Sequence, residues 1–177
     1  QEQAISNVQT NDVSIVKSLI DIYVKLGQWQ NAVGVWKQAN SSLQSDVLSS
    51  PDVFAKLRMW DKAEPLYKTN YQQTHSFESF RGMIESLSSL AKWPRLIEYM
   101  DNFKNLELQQ KKKVSIFFAE AAINLGKWDD LSNILEYAPD DMWMFNVLLA
   151  LNALHKKEYD KIKDIITKSF SLLASKP

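Results

Sequence analysis

The residues of this chain that could do chemistry are few, and none sits at a working spacing. The two histidines are His75 and His155. Neither has a second His or a Cys at metal-ligand spacing, so neither reads as part of a zinc or copper site. His75 falls in a polar stretch and His155 precedes Lys156-Lys157, and both read as surface or cap residues. Adjacent carboxylates occur as Asp129-Asp130 and Asp140-Asp141. A general acid and base can be built from such a pair. Both pairs instead fall at expected helix starts, where a carboxylate complements the positive end of the helix. No GxGxxG or GxxxxGK[ST] occurs, and four glycines cannot assemble a phosphate cradle. The glycine loop, HRD and DFG set of a protein kinase is absent as well. The one basic run, Lys111-Lys112-Lys113, is short for a phosphate or membrane contact and reads as the solvated start of a helix. The sequence therefore predicts no catalytic residue, no cofactor and no metal.

Composition points the same way. In 177 residues, 21 Lys and Arg balance 21 Asp and Glu. A net charge of zero argues against a dedicated nucleic-acid binder, which needs a basic field to recruit phosphates. It also favours association with something larger. The absence of cysteine excludes a disulfide scaffold and thiolate chemistry. Residues 1–12 are polar and show no signal-peptide core. The longest apolar-leaning stretch, Met142 to Leu154, is too short to span a bilayer. These features predict a cytoplasmic, soluble chain with no membrane span, and the abrupt start and finish predict a piece of a longer polypeptide.

The elements that would have to position any site are revealed by a returning aromatic. Trp29, Trp60, Trp93, Trp128 and Tyr159 follow one another at intervals of 31, 33, 35 and 31 residues. A leucine lies three residues before the first four (Leu26, Leu57, Leu90, Leu125). A small or aliphatic residue lies three after all five (Ala32, Ala63, Leu96, Leu131, Ile162). Larger apolar or aromatic pairs follow at plus six and plus seven, as in Val35-Trp36 and Leu66-Tyr67. A fixed period of this length predicts an all-α fold, an α-solenoid of about five tetratricopeptide-like helix–turn–helix repeats over residues 1–177. The junctions fall near the five aromatics.

The first helices of the five pairs are expected near Asp12–Leu26, Asp46–Leu57, Phe77–Leu90, Gln110–Leu125 and Asp141–Leu154. In the first, Ile15, Val16, Leu19, Ile20, Tyr23 and Val24 keep the spacing of one helical face. Gly27 and Gly126 supply left-handed ends. The second helices start just after each aromatic, with Asp61, Asp129 and Asp160, or Pro94, in the first turn. Pro65 is expected early in its helix and able to bend it. Polar linkers are expected at residues 40–42, 69–76, 102–107 and 138–140. Strand signals are nearly absent.

The five aromatics could be taken as a stacking platform for bases. At a helix–turn–helix junction they read better as structural pins that fill the gap between helices. The residues expected to meet a neighbouring repeat or another domain are Trp143 and Phe145, within Met142-Trp143-Met144-Phe145, and Phe117-Phe118. One helical face cannot bury four large groups in a row.

The repeats resemble the tetratricopeptide-like hairpins of the FAT domain in phosphatidylinositol-3-kinase-related protein kinases, and most of all the TOR kinases. The resemblance is carried by Phe54 to Tyr67, by Arg81-Gly82-Met83 with Leu87, Leu90 and Trp93, by Ala119 to Asp129, and by Leu148 to Leu151. It implies a non-catalytic scaffold segment that packs around and regulates a serine/threonine kinase domain placed elsewhere on the polypeptide. It implies as partners the kinase and helical-repeat regions of the same polypeptide and regulatory protein subunits. It places the chain in the cytoplasm, or at endomembranes or the nucleus within a large complex. Two alternatives are an independent tetratricopeptide-like adaptor that grips a protein or peptide, and the FAT segment of an ATR-, SMG- or TRRAP-like kinase. An adaptor would carry polar or basic inward faces on its first helices, whereas these are apolar and aromatic.

Overall fold

A computed structural model describes residues 2–43, 46–137 and 143–174. Among them are eleven α-helices, one 3-10 segment and no strand, so the fold is all-α with a helical-repeat arrangement. The helices gather into two compact units, Gln1–Ser86 and Leu87–Pro177.

In the first unit, α1 (Glu2–Lys25) packs against α2 (Trp29–Leu43). α1 begins well before the expected Asp12, because no Gly or Pro interrupts the chain ahead of Gly27. α2 runs through the expected linker at Asn40-Ser41-Ser42. The Ser41 and Ser42 hydroxyls donate back to the Gln38 carbonyl at 2.8 and 2.9 Å, so these polar residues ride on the helix. The expected helix Asp46–Leu57 is split into a 3-10 segment (Asp46–Ser49) and α3 (Pro51–Lys56). Pro51 disfavours a helical Ser50, which takes φ −72° and ψ 150°. α3 packs against α4 (Trp60–Thr74). α4 continues through Pro65 and absorbs most of the expected linker 69–76. Thr69 and Thr74 donate to the carbonyls of Pro65 and Asn70, four residues back. Only His75 and Ser76 then connect to α5 (Phe77–Ser89).

The core of this unit forms around Trp36. Its indole N–H donates to the Leu48 carbonyl at 2.8 Å, which ties α2 to the 3-10 segment. Phe54 meets its ring edge-on at 5.6 Å.

In the second unit, the helix expected after Trp93 is two short ones, α6 (Trp93–Ile97) and α7 (Met100–Lys104). A tight turn, with Tyr99 N–H donating to the Leu96 carbonyl, separates them. The break lets Phe103 enter the core, 4.8 Å from the Phe118 ring. α7 therefore takes up residues 102–104 of the expected linker. α8 (Leu108–Asn124) opens with a capping box in which Gln110 accepts from the Glu107 N–H at 3.2 Å. α8 packs on α6, α7 and α9 (Trp128–Leu135), and α10 (Trp143–His155) packs on α9 and α11 (Tyr159–Ala174). The expected linker 138–140, the Asp140-Asp141 pair and the start of the helix expected at Asp141 lie outside the described residues.

One backbone motif repeats at all five turns. The residue two before each aromatic is left-handed: Gly27 (φ 70°), Arg58 (56°), Ala91 (52°), Gly126 (68°) and Lys157 (59°). Its N–H donates three residues back and the next N–H donates five back, all at 2.8–3.0 Å. This paired closure satisfies carbonyls that a helix end would otherwise orphan. The following helix starts at the aromatic itself. At the first four junctions, the residue three further on donates to the carbonyl just before that aromatic. That residue is Ala32, Ala63, Leu96 or Leu131, and each is fully buried.

Candidate functional site

The frame residues at the turns differ in depth. Trp29, Trp60, Trp93 and Trp128 are half-buried, and Tyr159 is 65% exposed. Two of them carry partners from the following turn. The Arg58 guanidinium lies 4.1 Å above the Trp29 ring. The His155 imidazole stacks on Trp128 at 4.2 Å with planes 9° apart. The spacing His155-minus-Trp128 held no metal or catalytic signal, so this contact was not visible in the sequence. His75 is an exposed left-handed cap residue with its ring 5.8 Å from Tyr71.

The other singled-out groups are dispersed. Asp129 and Asp130 stand in the first turn of α9. Lys111 sets its ammonium 4.8 Å from the Tyr137 ring. Among the described residues, no group of three or more His, Cys, Asp or Glu could hold a metal ion. Phe118 and Phe145 are buried inside the second unit, and Phe117 is half-buried. The side chain of Trp143 lies outside the described residues.

Two concavities stand out. The first, about 560 Å³, lies in the first unit between α1, α3, α4 and α5. Lys17, Asp21, Ser50, Asp52, Lys56, Trp60, Tyr67 and Glu85 help line it. Its charges are largely matched: Lys56 pairs with Asp21 at 2.7 Å, and the Tyr67 hydroxyl donates to Asp52 at 2.6 Å. Burial, with the hydrogen bond to Asp52 and its charge, pushes the Tyr67 hydroxyl pKa well above its ordinary value. Gly82 on α5 leaves room for that tyrosine ring.

The second, also about 560 Å³, is an almost wholly apolar groove between α10 and α11. Val147, Leu151, Leu154, Ile166 and Phe170 line it while exposed by 39–68%. Asn146 also lines it. This residue is 6% exposed, and its amide Nδ2 has no hydrogen-bond partner among the described residues. A buried unmatched donor costs about 1–3 kcal/mol. In the first unit, Ile15, Leu19, Ile22 and Leu26 form a further exposed ridge along α1. Exposed apolar stripes of this kind mark contact surfaces. Among the described residues, no helix is long and apolar enough to cross a membrane.

Hairpins closed by one recurring backbone motif, with apolar faces and no metal-holding cluster among the described residues, define a helical-repeat protein. Over 75% of its length the chain is homologous to a segment of the serine/threonine-protein kinases TOR. It is 28% identical over 138 residues to the TOR kinase of Arabidopsis thaliana and 26% identical over 135 residues to that of Oryza sativa. Against tor1 of Schizosaccharomyces pombe it is 27% identical over 154 residues. The chain spans only 5–6% of the length of these relatives. No protein-family model matches it.

Proposed function

We propose that this chain is a non-catalytic scaffold segment of the FAT domain of a TOR-like serine/threonine kinase. It packs around the kinase domain, passes regulatory input to it and mediates protein contacts. Its partners are the kinase and helical-repeat regions of the same polypeptide and regulatory subunits, in the cytoplasm, at endomembranes or in the nucleus. The repeat junctions lie near Trp29, Trp60, Trp93, Trp128 and Tyr159, and these aromatics act as structural pins. Phe117 and the α10–α11 groove are contact surfaces.

One observation carries this reading. Similarity to three kinases covers most of this chain but a very small part of each relative, and it falls on helical hairpins. The groove supports it: five exposed apolar side chains suit a protein surface better than water.

The test uses the complete kinase. Leu151→Asp with Leu154→Asp is expected to lower phosphorylation of a protein substrate per molecule of kinase, with nucleotide binding kept. Activity equal to the parent would sink the regulatory role. A transcript without a kinase reading frame would sink the assignment itself.

A further inference from the structure

Ser50-Pro51 is the only Ser-Pro or Thr-Pro step among 177 residues. It lies between the 3-10 segment and α3, where Ser50 takes the extended conformation that a residue before proline prefers. Its hydroxyl makes no capping bond to the helix that follows. Ser49 beside it is exposed and Ser50 is half-exposed. Ser50 also lines the cleft of the first unit, together with two lysines, Lys17 from α1 and Lys56 from α3.

We propose that Ser50 is a phosphoacceptor for a proline-directed serine/threonine kinase, and that Lys17 and Lys56 hold the phosphate. The Ser50 hydroxyl oxygen attacks the γ-phosphorus of ATP. A serine O–P bond forms, the bond between the γ-phosphorus and the β–γ bridging oxygen breaks, ADP leaves, and the hydroxyl proton passes to the modifying kinase's base. The product brings close to two negative charges at neutral pH, with a second pKa of about 6. Lys17 pairs with no carboxylate among the described residues. Lys56 already pairs with Asp21, half-exposed on both sides, and such bridges exchange partners at little cost. A phosphate therefore draws Lys56 away from Asp21 and links α1 to α3 through Lys17. The carboxylates facing the same cleft are Asp21, Asp52 and Glu85, and they oppose the phosphate. Asp52 is held by the Tyr67 hydroxyl and Glu85 lies 4.0 Å from Arg81, and Lys17 and Lys56 are the two basic residues that line the cleft with Ser50.

The experiment treats the whole chain with a purified proline-directed kinase and ATP and maps phosphate by mass spectrometry. A synthetic peptide of residues 44–56 serves as the control. Phosphate at Ser50, lost in Ser50→Ala, is the expected result. An unmodified Ser50 in the folded chain overturns the proposal. The peptide then tells whether the fold or the sequence refuses the kinase. Titration of the phosphate by phosphorus NMR tests the second half. Lys17→Ala and Lys56→Ala are each expected to raise its second pKa, by roughly half a unit. No rise in either variant removes the lysines from the site.

Discussion

The Tyr67 ring occupies the space that a Cβ on Gly82 would need, with ring carbons 2.5 Å from that position. The ring belongs to a side chain that is only 8% exposed and is tethered to Asp52 through its hydroxyl. It cannot swing away without losing that bond. In Gly82→Ala, better helix propensity gains about 0.5–1 kcal/mol and overpacking costs about 1–3 kcal/mol. Urea unfolding is expected to show a net loss of about 1–2 kcal/mol. Stability at or above the parent would mean that the ring yields freely.

The same tyrosine gives a pH signature. Its hydroxyl pKa is raised in the folded chain by burial first and by Asp52 next. A raised pKa contributes stability that is complete below the unfolded value, about 10, and is lost as pH climbs towards the folded value. Stability is therefore expected to fall above about pH 10 by up to ~1.4 kcal/mol per pH unit from this group. In Tyr67→Phe that part of the slope should vanish, with a lower plateau at neutral pH from the lost hydrogen bond. Equal slopes for the two chains between pH 9 and 11 would show that Tyr67 is not the group responsible.

Depth of burial ranks the tryptophans. Trp36 is 7% exposed and bonded to the Leu48 carbonyl, whereas Trp60 is half-buried at a turn. Trp36→Ala is expected to cost about 3–5 kcal/mol, and Trp60→Ala less. Thermal melts that reverse this order would restore the turn aromatics as the principal supports.

Left-handed residues divide into strained and unstrained. Ala91 holds φ 52° with a Cβ, and Gly126 holds φ 68° without one. A left-handed L-residue costs about 1–2 kcal/mol, partly offset by the extra chain entropy of glycine, about 0.5–1 kcal/mol. Ala91→Gly is expected to stabilise by up to about 1 kcal/mol and Gly126→Ala to destabilise by about as much. Guanidinium titrations of the two variants should move in opposite directions.

Much of the helical order was legible because it is local. Leu26-Gly27 and Leu125-Gly126 mark helix ends by residue type, and Trp29 to Ala32 marks the next beginning. What was missed depends on contacts between distant residues or on competing local bonds. Ser41, Ser42, Thr69 and Thr74 look like linker residues, yet their hydroxyls bond back to the helix they stand on. Pro51 is visible in the sequence, but the apolar pattern of Asp46–Leu57 runs across it and hides the split. The turn at Glu98-Tyr99 carries no Gly or Pro, and what accompanies it is a contact at a distance, Phe103 packed on Phe118 of another helix. The cleft was illegible for the same reason. Tyr67, Asp52 and Gly82 meet only once α3, α4 and α5 are in register, and no spacing along the chain encodes that. The Asn146 amide likewise becomes conspicuous only when the groove around it is found to be apolar.

The five turns close through main-chain groups, and glycine stands at two of them while Arg58, Ala91 and Lys157 stand at the others. A corner built this way tolerates drift in its letters while its angles stay put. Lineages sharing such corners can diverge quickly in sequence and still trace the same path in space. Descent in a chain of this kind is therefore recorded more durably in torsion angles than in residue identities.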